Sequence, residues 1–463
     1  MNLKTIFLNF SAILTIATTY GQSAIEFSVH EAQAYAIENN LQLQNARQDV
    51  NIAEQQYKET RGQGLPQVDG TLDYMTNFNY EAEIEFGGGA SSEPPTIDYT
   101  QLDAGDMELM KLLQGFTSSS TGGSTIVMED QSSATVQISQ LIFGGQYWVG
   151  LQTSRIGKEL ARQQVNITEL DVKQSVANIY QLILVTEKIT DVLTKNLENL
   201  RSLKVHTKNM YEAGIAEQTD VDQIAVSISQ LENQYKSMKR NINLSYNRLR
   251  FQLGLESDQE ITLTDSLNTF LKPLDKIDRM AESFDITKNP NYQMIKTQKK
   301  LQEKMVDMEK WAYAPTLTGF YSYTEKIMTT GFDLSPNNAA GLNLSIPIFS
   351  SGIRKAKVEK AKIELDKANR SKEMLEEQLK LQNNQLRFEF ASAFDNYTTQ
   401  KENVQVARRI LKNMQDKYKQ GVISTIDLTQ ANSNYLEAES TYLNAVLELM
   451  QADLNLKKLY NNL

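Results

Sequence analysis

The stretch YEAGIAEQTDVDQ at residues 211–223 is repeated as YKQGVISTIDLTQ at residues 418–430. The two stretches align without a gap. Glycine past a helix end, followed by a polar loop and an aspartate before an apolar run, predicts a helix stop and then a helix N-cap. We therefore expect two helical hairpins whose turns carry the motif. The matching pairs are Tyr211 and Tyr418, Gly214 and Gly421, Asp220 and Asp427, and Gln223 and Gln430.

The duplication extends outward from these turns. A long proline-free run with apolar residues at helical spacing leads into each motif, and a second helical run returns from it. This pattern predicts helical hairpins at residues 147–254 and 353–461. Upstream, corresponding residues lie 249 positions apart, but the offset falls to 206 between Phe143 and Phe349, so the first copy holds 43 additional residues. The upstream pairs are Ala32 and Ala281, Asn40 and Asn289, Pro66 and Pro315, Gly70 and Gly319, and Tyr74 and Tyr323.

Two runs in each copy alternate between apolar and polar residues, which is typical of β-strands. In LPQVDGTLDYMTNFNY, for example, valine, leucine and tyrosine alternate with glutamine, aspartate and threonine. Each pair of runs predicts a β-hairpin with one apolar, aromatic-rich face and one polar face. The predicted strands cover about 66–80 and 132–143 in the first copy, and about 315–325 and 341–349 in the second.

Such a sheet can be half-buried on a core, or it can form a barrel wall with lipid outside and water inside. Four strands are too few to close a barrel around a polar lumen. A barrel would therefore need several chains, of which three would supply twelve strands. The alternative is a soluble α+β domain with two hairpins. The same reasoning applies to the long helices, whose apolar stripes would be buried by neighbouring copies.

Composition excludes several classes of protein. A net charge of −10 argues against a nucleic-acid scaffold. The chain has no cysteine, which excludes disulfides and thiolate metal sites, and its only two histidines leave little for zinc binding. Residues 1–21 hold one lysine before a short apolar run and predict a secretory signal peptide, with a buried N-terminal helix as the alternative.

The predicted organisation has a first repeat at residues 22–254, a linker or equatorial segment at 255–278, and a second repeat at 279–463. The linker is polar, with a short strand expected at 261–264. The first hairpin carries a loop at 81–130 that is rich in glycine, serine and proline, with ten acidic side chains and one basic side chain. That loop is either a solvated acidic surface or a site for calcium or a partner.

Together, these features resemble the TolC family of outer-membrane efflux proteins. The resemblance rests on the duplicated turn, on the strand ends LIFGG and PIFSSG, and on the proline that opens each first strand. It spans about Glu31 to Tyr460. The resemblance implies an α+β membrane protein built from a duplicated helix, β-hairpin and long-helix unit. Four strands per chain would complete a trimeric 12-stranded β-barrel, continuous with a periplasmic α-helical coiled-coil barrel.

The resemblance also implies the function and the partners. The chain would be a homotrimeric channel-tunnel in the outer membrane of a Gram-negative bacterium, with its helical part in the periplasm. It would provide the exit duct of a tripartite efflux or type I secretion system, in contact with outer-membrane lipid. A periplasmic adaptor protein would link its tips to an inner-membrane pump of the RND or ABC type. No nucleic acid, cofactor or metal is expected, and the duct would perform no bond chemistry.

Site residues follow from the same resemblance. In the family, carboxylates just after the second turn can ring the periplasmic entrance. Asp427 occupies the first such position, whereas the second is Gln430, and the first copy has Asp220 and Asp222 near the equivalent place. The simpler explanation of Asp220 and Asp427 is helix N-capping. The residues expected to contact the adaptor are Tyr211, Gly214, Ile215, Tyr418, Gly421 and Val422.

Two other functions compete with a channel. A trimeric coiled-coil structural or adhesive stalk would show heptads without period-two hairpins, and the paired hairpins argue against it. A periplasmic enzyme would need a recognisable set of catalytic or ligand-binding residues. The sequence holds no GxSxG elbow, metal-spaced histidine cluster or phosphate loop.

Overall fold

The computed structural model describes residues 25–76, 78, 80–84, 111, 124–128, 130–328 and 335–463. The predicted signal peptide at 1–21 lies outside the described residues, as does most of the predicted acidic loop at 81–130. The chain divides into two compact units. A helical unit comprises residues up to 55, 153–304 and 361–463, and a strand unit comprises residues 56–152 and 305–360.

Nine α-helices account for most of the described residues. Two of them are very long, with 68 residues in α3 and 67 in α8, and each is followed by a returning helix of about half its length. The order of long helix, turn and returning helix, found twice, agrees with the prediction. The helices are α1 (Val29–Asn39), α2 (Leu41–Gly62), α3 (Gly145–Glu212), α4 (Gln218–Leu253), α5 (Leu267–Leu271), α6 (Lys276–Ala281), α7 (Pro290–Trp311), α8 (Ile353–Lys419) and α9 (Thr425–Leu459).

The strand unit contains a four-stranded antiparallel sheet in the order β2-β5-β7-β8. Both predicted hairpins are present, and β5 pairs with β7 to join the two repeats into one sheet. A separate pair, β3 with β4, continues the first hairpin. The strands are β1 (Ile25–Phe27), β2 (Gln67–Met75), β3 (Tyr80–Ile84), β4 (Ser124–Met128), β5 (Gln131–Gly144), β6 (Ile261–Leu263), β7 (Thr316–Met328) and β8 (Asn338–Ser345).

Two strand bounds differ from the predicted ones for local physical reasons. The first strand was expected to run to residue 80, but β2 ends at Met75 and Phe78 adopts a positive φ of 51°, which interrupts extended backbone. The last strand was expected to run to residue 349. Instead β8 ends at Ser345, two residues before Pro347, which has no N–H to donate to a neighbouring strand.

The core of the helical unit packs α1, the middle of α3, and the ends of α4 and α9 around short strands. Tyr180 of α3 is fully buried there, and its hydroxyl donates to the carbonyl oxygen of Phe27 at 2.9 Å. The backbone N–H of Asp265 donates to the same hydroxyl at 3.1 Å. Burial raises the pKa of Tyr180 to about 12. This one hydroxyl therefore ties the linker and the N-terminal strand to the long helix.

A matched pair of buried asparagines holds each repeat together. The side-chain oxygen of Asn40 accepts from the N–H groups of Gln42 and Leu43 and so caps α2, while its amide donates to the carbonyl oxygen of Gln252 at 2.8 Å. In the second repeat, Asn289 caps α7 and donates to the carbonyl oxygen of Leu459 at 3.1 Å. Each asparagine thus fastens the start of one helix to the end of the returning helix.

Candidate functional site

One face of the four-stranded sheet is mostly apolar. Residues opposite each other in register share a face, and alternate residues along a strand point to opposite faces. The resulting apolar row is broadly exposed, with Leu72 at 81% of its full accessibility. No segment among the described residues covers it. The row comprises Val68, Leu72, Tyr74, Val136, Ile138, Leu317, Tyr321, Tyr323, Leu342 and Leu344.

The opposite face of the same sheet is mostly polar. Thr135 and Thr324 meet on it with their hydroxyls 3.0 Å apart, across the join between the repeats. Its one large aromatic side chain is Phe320, which lies over Gly341 on the neighbouring strand, where any Cβ would meet the ring. The polar residues of this face include Gln67, Asp69, Thr71, Asp73, Ser133, Thr135, Gln137, Ser139, Thr318, Ser322, Thr324, Lys326 and Asn343.

Both outer strands of this sheet leave one edge open. Among the described residues, β2 pairs only with β5 and β8 pairs only with β7. An open edge presents a row of backbone N–H and C=O groups that can accept another strand. Among the described residues, the sheet can therefore be extended by a further strand at both edges. As for helices, none in the described ranges is both long enough and apolar enough to cross a membrane.

The two repeated turns end their long helices in the same way. Gly214 and Gly421 have φ values of 75° and 72°, in the left-handed region that glycine adopts without strain. In the first turn, Gly214 N–H donates to Tyr211 O and Ile215 N–H donates to Met210 O. In the second, Gly421 and Val422 form the equivalent bonds. Both turns are Schellman motifs, as the glycine position predicted.

The aspartates of the motif do not occupy the N-cap position that we predicted for them. The N-cap residues are Glu217 and Ser424, and Asp220 and Asp427 lie three residues later, within the first helical turn. Asp427 Oδ2 accepts from the backbone N–H and the hydroxyl of Ser424, at 3.3 and 2.7 Å. The aspartates thus act from the other side of a capping box, where a carboxylate also faces the positive end of the helix dipole.

The gate candidates stand at the starts of the returning helices, two on α4 and two on α9. Asp427, Asp222 and Gln430 are exposed, and Asp220 is half-buried. Asp222 Oδ1 accepts from Gln218 Nε2 at 2.8 Å, and Gln430 Nε2 donates to Asn434 Oδ1 at 2.9 Å. Each group is held within its own helical turn, so its position follows from the position of that turn.

Tyr211 and Tyr418 match in sequence but differ in environment. Tyr211 is exposed, as are Ile215 and Val422, whereas Tyr418 is only 4% exposed. The Tyr418 hydroxyl lies 2.7 Å from Thr207 Oγ1 on α3 and 3.1 Å from Thr425 Oγ1 on α9. The expectation that Tyr418 contacts a partner therefore needs correction. Its side chain is buried, and its hydroxyl links α8 to α3 and α9.

The hydroxyl junction around Tyr418 was not predicted from the sequence. The residues that correspond to Thr207 and Thr425 in the other repeat are Met414 and Gln218, so only one copy can form it. This loss of a threonine between otherwise matching copies is the sequence signal that could have indicated it. Within the described ranges, no group of three or more histidine, aspartate or glutamate side chains could hold a metal ion.

Comparison with known families identifies the class of protein. The sequence profile of the outer membrane efflux protein family matches residues 34–255 and 286–462. The chain therefore belongs to that family, which consists of outer-membrane channels rather than enzymes. It is a protein of the outer membrane with its helical part in the periplasm, as the resemblance to TolC-like proteins implied.

Solved structures share the fold at low sequence identity. The outer membrane protein VceC from Vibrio cholerae is 14% identical with a TM-score of 0.67, over 93% of this chain and 95% of that one. The outer membrane channel CmeC from Campylobacter jejuni is 15% identical with a TM-score of 0.69, over 94% and 85%. The outer membrane channel MtrE from Neisseria gonorrhoeae is 15% identical with a TM-score of 0.68, over 93% and 88%. A search of curated protein sequences finds no match to this chain.

Proposed function

We propose that three copies of this chain form a closed transmembrane barrel in the outer membrane, which serves as the exit channel of an efflux or secretion system. The observation that carries the proposal is the two-faced sheet with both edges open. An apolar face suits lipid, a polar face suits a water-filled bore, and open edges cannot face hydrocarbon, because unpaired backbone groups are costly there.

Strand direction supports closure by identical copies. β2 and β7 run in one direction, and β5 and β8 run in the other. Because each chain contributes an even number of strands, β8 of one copy lies antiparallel to β2 of the next. Two copies would supply eight strands, whose interior is just wide enough for side chains to fill. Three copies supply twelve strands, which leaves room for an aqueous bore.

The proposed channel is passive, and its coupling partners act at the helical tips. An inner-membrane pump of the RND or ABC type would supply the energy, through a periplasmic adaptor. The exposed side chains of Tyr211, Ile215 and Val422, with the backbone at Gly214 and Gly421, form the proposed adaptor surface. Tyr418 supports this surface from inside.

Cross-linking across the open edges tests the assembly. The chain contains no cysteine, so a Thr71→Cys, Asn343→Cys double variant has one thiol on β2 and one on β8. Treatment of the full protein in outer-membrane vesicles with a flexible bis-maleimide should give bands of one, two and three chains. Bands beyond three chains, or a single-chain band alone, would contradict the trimeric barrel.

The matched control places both thiols inside one chain. Gln137 on β5 and Ser322 on β7 are register partners, so the Gln137→Cys, Ser322→Cys variant should cross-link without changing the number of chains per band. The cysteine-free protein should also pass a steady ionic current across a planar lipid bilayer. A purified protein that inserts but carries no current would overturn the channel.

The carboxylate gate gives a second test. We propose that threefold symmetry gathers Asp427 around the periplasmic entrance, with Asp220, Asp222 and Gln430 nearby. Asp427→Asn removes the charge but keeps an oxygen that can accept from Ser424. In a reconstituted channel, the concentration of a trivalent cation that halves the current should rise about tenfold, because a ring of carboxylates attracts multivalent cations strongly.

Asp416→Asn is the matched control for this prediction. Asp416 is exposed on α8 just before the second turn, and its replacement makes the same change in net charge. The blocking concentration should stay within about twofold of the wild-type value, since a screened charge off the entrance acts weakly. Equal shifts in both variants would remove Asp427 from the gate.

A further inference from the structure

We propose that the first two turns of α8 form a basic band that binds the anionic headgroups of phospholipids in the periplasmic leaflet of the outer membrane. The basic band consists of Arg354, Lys355, Lys357 and Lys360. This proposal rests on the proposed function, because the band meets a lipid surface only if the apolar face of the sheet lies in the bilayer.

The band is rich in charge that the protein does not use. Residues 353–360 hold four basic side chains and one acidic one, in a chain whose net charge is −10. Lys355, Lys357 and Lys360 are exposed, and Arg354 is half-buried. None of the four forms an ion pair with the residues that the structure describes, whereas Lys367 and Arg370, further along α8, pair with Glu364 and Asp366. Folding therefore leaves the band available to an external anion.

The band follows a run of exposed apolar side chains after β8. Ile346, Ile348 and Phe349 follow β8 and are strongly exposed, with Ile348 at 93%. Arg354 comes five residues after Phe349. Such a step from exposed apolar side chains to lysine and arginine is typical of the boundary between hydrocarbon and headgroups.

Both tryptophans of the chain lie at this same end of the sheet. Thr316 and Ser345 are register partners, which sets the residues before β7 beside those after β8. Trp311 closes the helix that leads into β7, and Trp148 lies in the first turn after β5; they are 47% and 56% exposed. Tryptophan concentrates at membrane interfaces, where one side of the ring system is apolar and the other is wet. The tryptophans thus indicate independently where the membrane boundary lies.

Comparison of the two repeats shows that the fold does not require the charge. With the offset of 206, the four basic positions correspond to Trp148, Val149, Leu151 and Ser154 at the start of α3, none of which is charged. The corresponding residues of the first repeat also lie in the first turns of a long helix, so that helix begins without basic residues. In a trimer, three basic starts and three apolar, aromatic starts would alternate around the membrane boundary.

The dimensions of the band match a headgroup layer. A helix rises about 1.5 Å per residue, so Arg354 to Lys360 spans about 9 Å. The headgroup region on each side of a bilayer is roughly 5–8 Å thick. Successive helical residues are also turned by about 100°, which spreads the four side chains around the helix and directs some of them outward in any arrangement of copies.

The two native tryptophans provide the reporter for a test. The full protein is reconstituted into vesicles of equimolar phosphatidylglycerol and phosphatidylcholine, and bromine is placed on the chains of one lipid or the other. Composition is the same in both samples, and only the quenching species differs. Tryptophan emission should be quenched about twofold more strongly by the brominated anionic lipid, and 0.5 M salt should remove the excess.

A variant carrying R354Q, K355Q, K357Q and K360Q should lose the excess quenching. Its control carries R409Q, K412Q, K417Q and K419Q, which are all exposed and lie 55–60 residues further along the same helix. The control makes the same change in net charge and should keep the wild-type excess. Equal quenching by both brominated lipids in the wild-type protein, or equal loss in both variants, would overturn the proposal.

Two further measurements distinguish lipid binding by the basic band from channel activity and from binding to peptidoglycan. Ionic current measured on the same reconstituted protein tests the channel, so normal current without lipid preference would refute the band alone. Binding to purified peptidoglycan tests the other anionic polymer of the periplasm. The basic band is wrong if the R354Q, K355Q, K357Q and K360Q changes abolish peptidoglycan binding while lipid quenching is unaffected.

Discussion

Replacing Gly254 by alanine should destabilise the helical unit by about 3 kcal/mol, the sum of left-handed backbone strain and a steric clash. Gly254 ends α4 with a φ of 72°. A Cβ at this position would press on the carbonyl oxygen of Asn39 and lie 3.0 Å from its carbonyl carbon. Because these atoms are backbone, they cannot move aside as the tip of a side chain can. Thermal unfolding of the detergent-solubilised protein, followed by circular dichroism, measures the loss.

Gly421→Ala is the matched control, since it isolates the strain from the clash. Gly421 has the same φ of 72° and also ends a helix, but nothing lies within 4 Å of a Cβ placed there. It should cost about 1 kcal/mol, the penalty for an alanine in the left-handed region. If both alanine variants lower the melting temperature equally, the close approach between α4 and Asn39 is absent.

The second large effect is expected at the matched asparagines. Asn289→Ala removes the cap of α7 and leaves the carbonyl oxygen of Leu459 buried without its donor. A lost cap costs about 1 kcal/mol and an unsatisfied buried polar group about 1–3 kcal/mol, so the variant should lose about 2–4 kcal/mol. Asn40→Ala should lose a similar amount, because Gln252 stands where Leu459 does. The same melting experiment measures both.

A serine variant separates the two contributions. Asn289→Ser keeps an oxygen for the helix cap but cannot reach Leu459, so its loss should be smaller than that of alanine by about 1 kcal/mol. Asn51→Ala is the surface control. Asn51 is exposed, and its side-chain amide donates to Gln48 on the same helix, so Asn51→Ala should change stability by no more than about 0.5 kcal/mol. An Asn289→Ala protein that melts like the wild type would show that the bonds of Asn289 to α7 and Leu459 do not stabilise the protein.

The duplication made most of the architecture predictable. Glycine with positive φ at both turns, long proline-free helices and period-two strands are all local signals, and the structure contains each of them. The family follows from their order, and its profile confirms it. The correspondence of Asn40 with Asn289 was also visible in the sequence, because both copies have asparagine at the matching position.

Most features that could not be predicted from the sequence depend on contacts between residues that are distant along the chain. The short strand expected at 261–264 is present as β6, but its parallel partner β1 was not predicted, because three residues are too few to show a period. The burial of Tyr418 is set by Thr207, 211 positions earlier. One miss is local: Ser424, three residues before Asp427, is the N-cap, and a shift of that size is within the usual error of a predicted helix start.

The open edges have a consequence for the life of a newly exported copy. In the proposed trimer, a copy that has not yet met its two partners would carry an exposed apolar sheet face with unpaired backbone groups along both edges, the arrangement that promotes β-aggregation. Assembly of that trimer would have to outpace off-pathway association, and a holding chaperone would have to shield the sheet meanwhile. Overproduction without matching delivery to the bilayer should accordingly yield precipitate rather than dispersed single subunits.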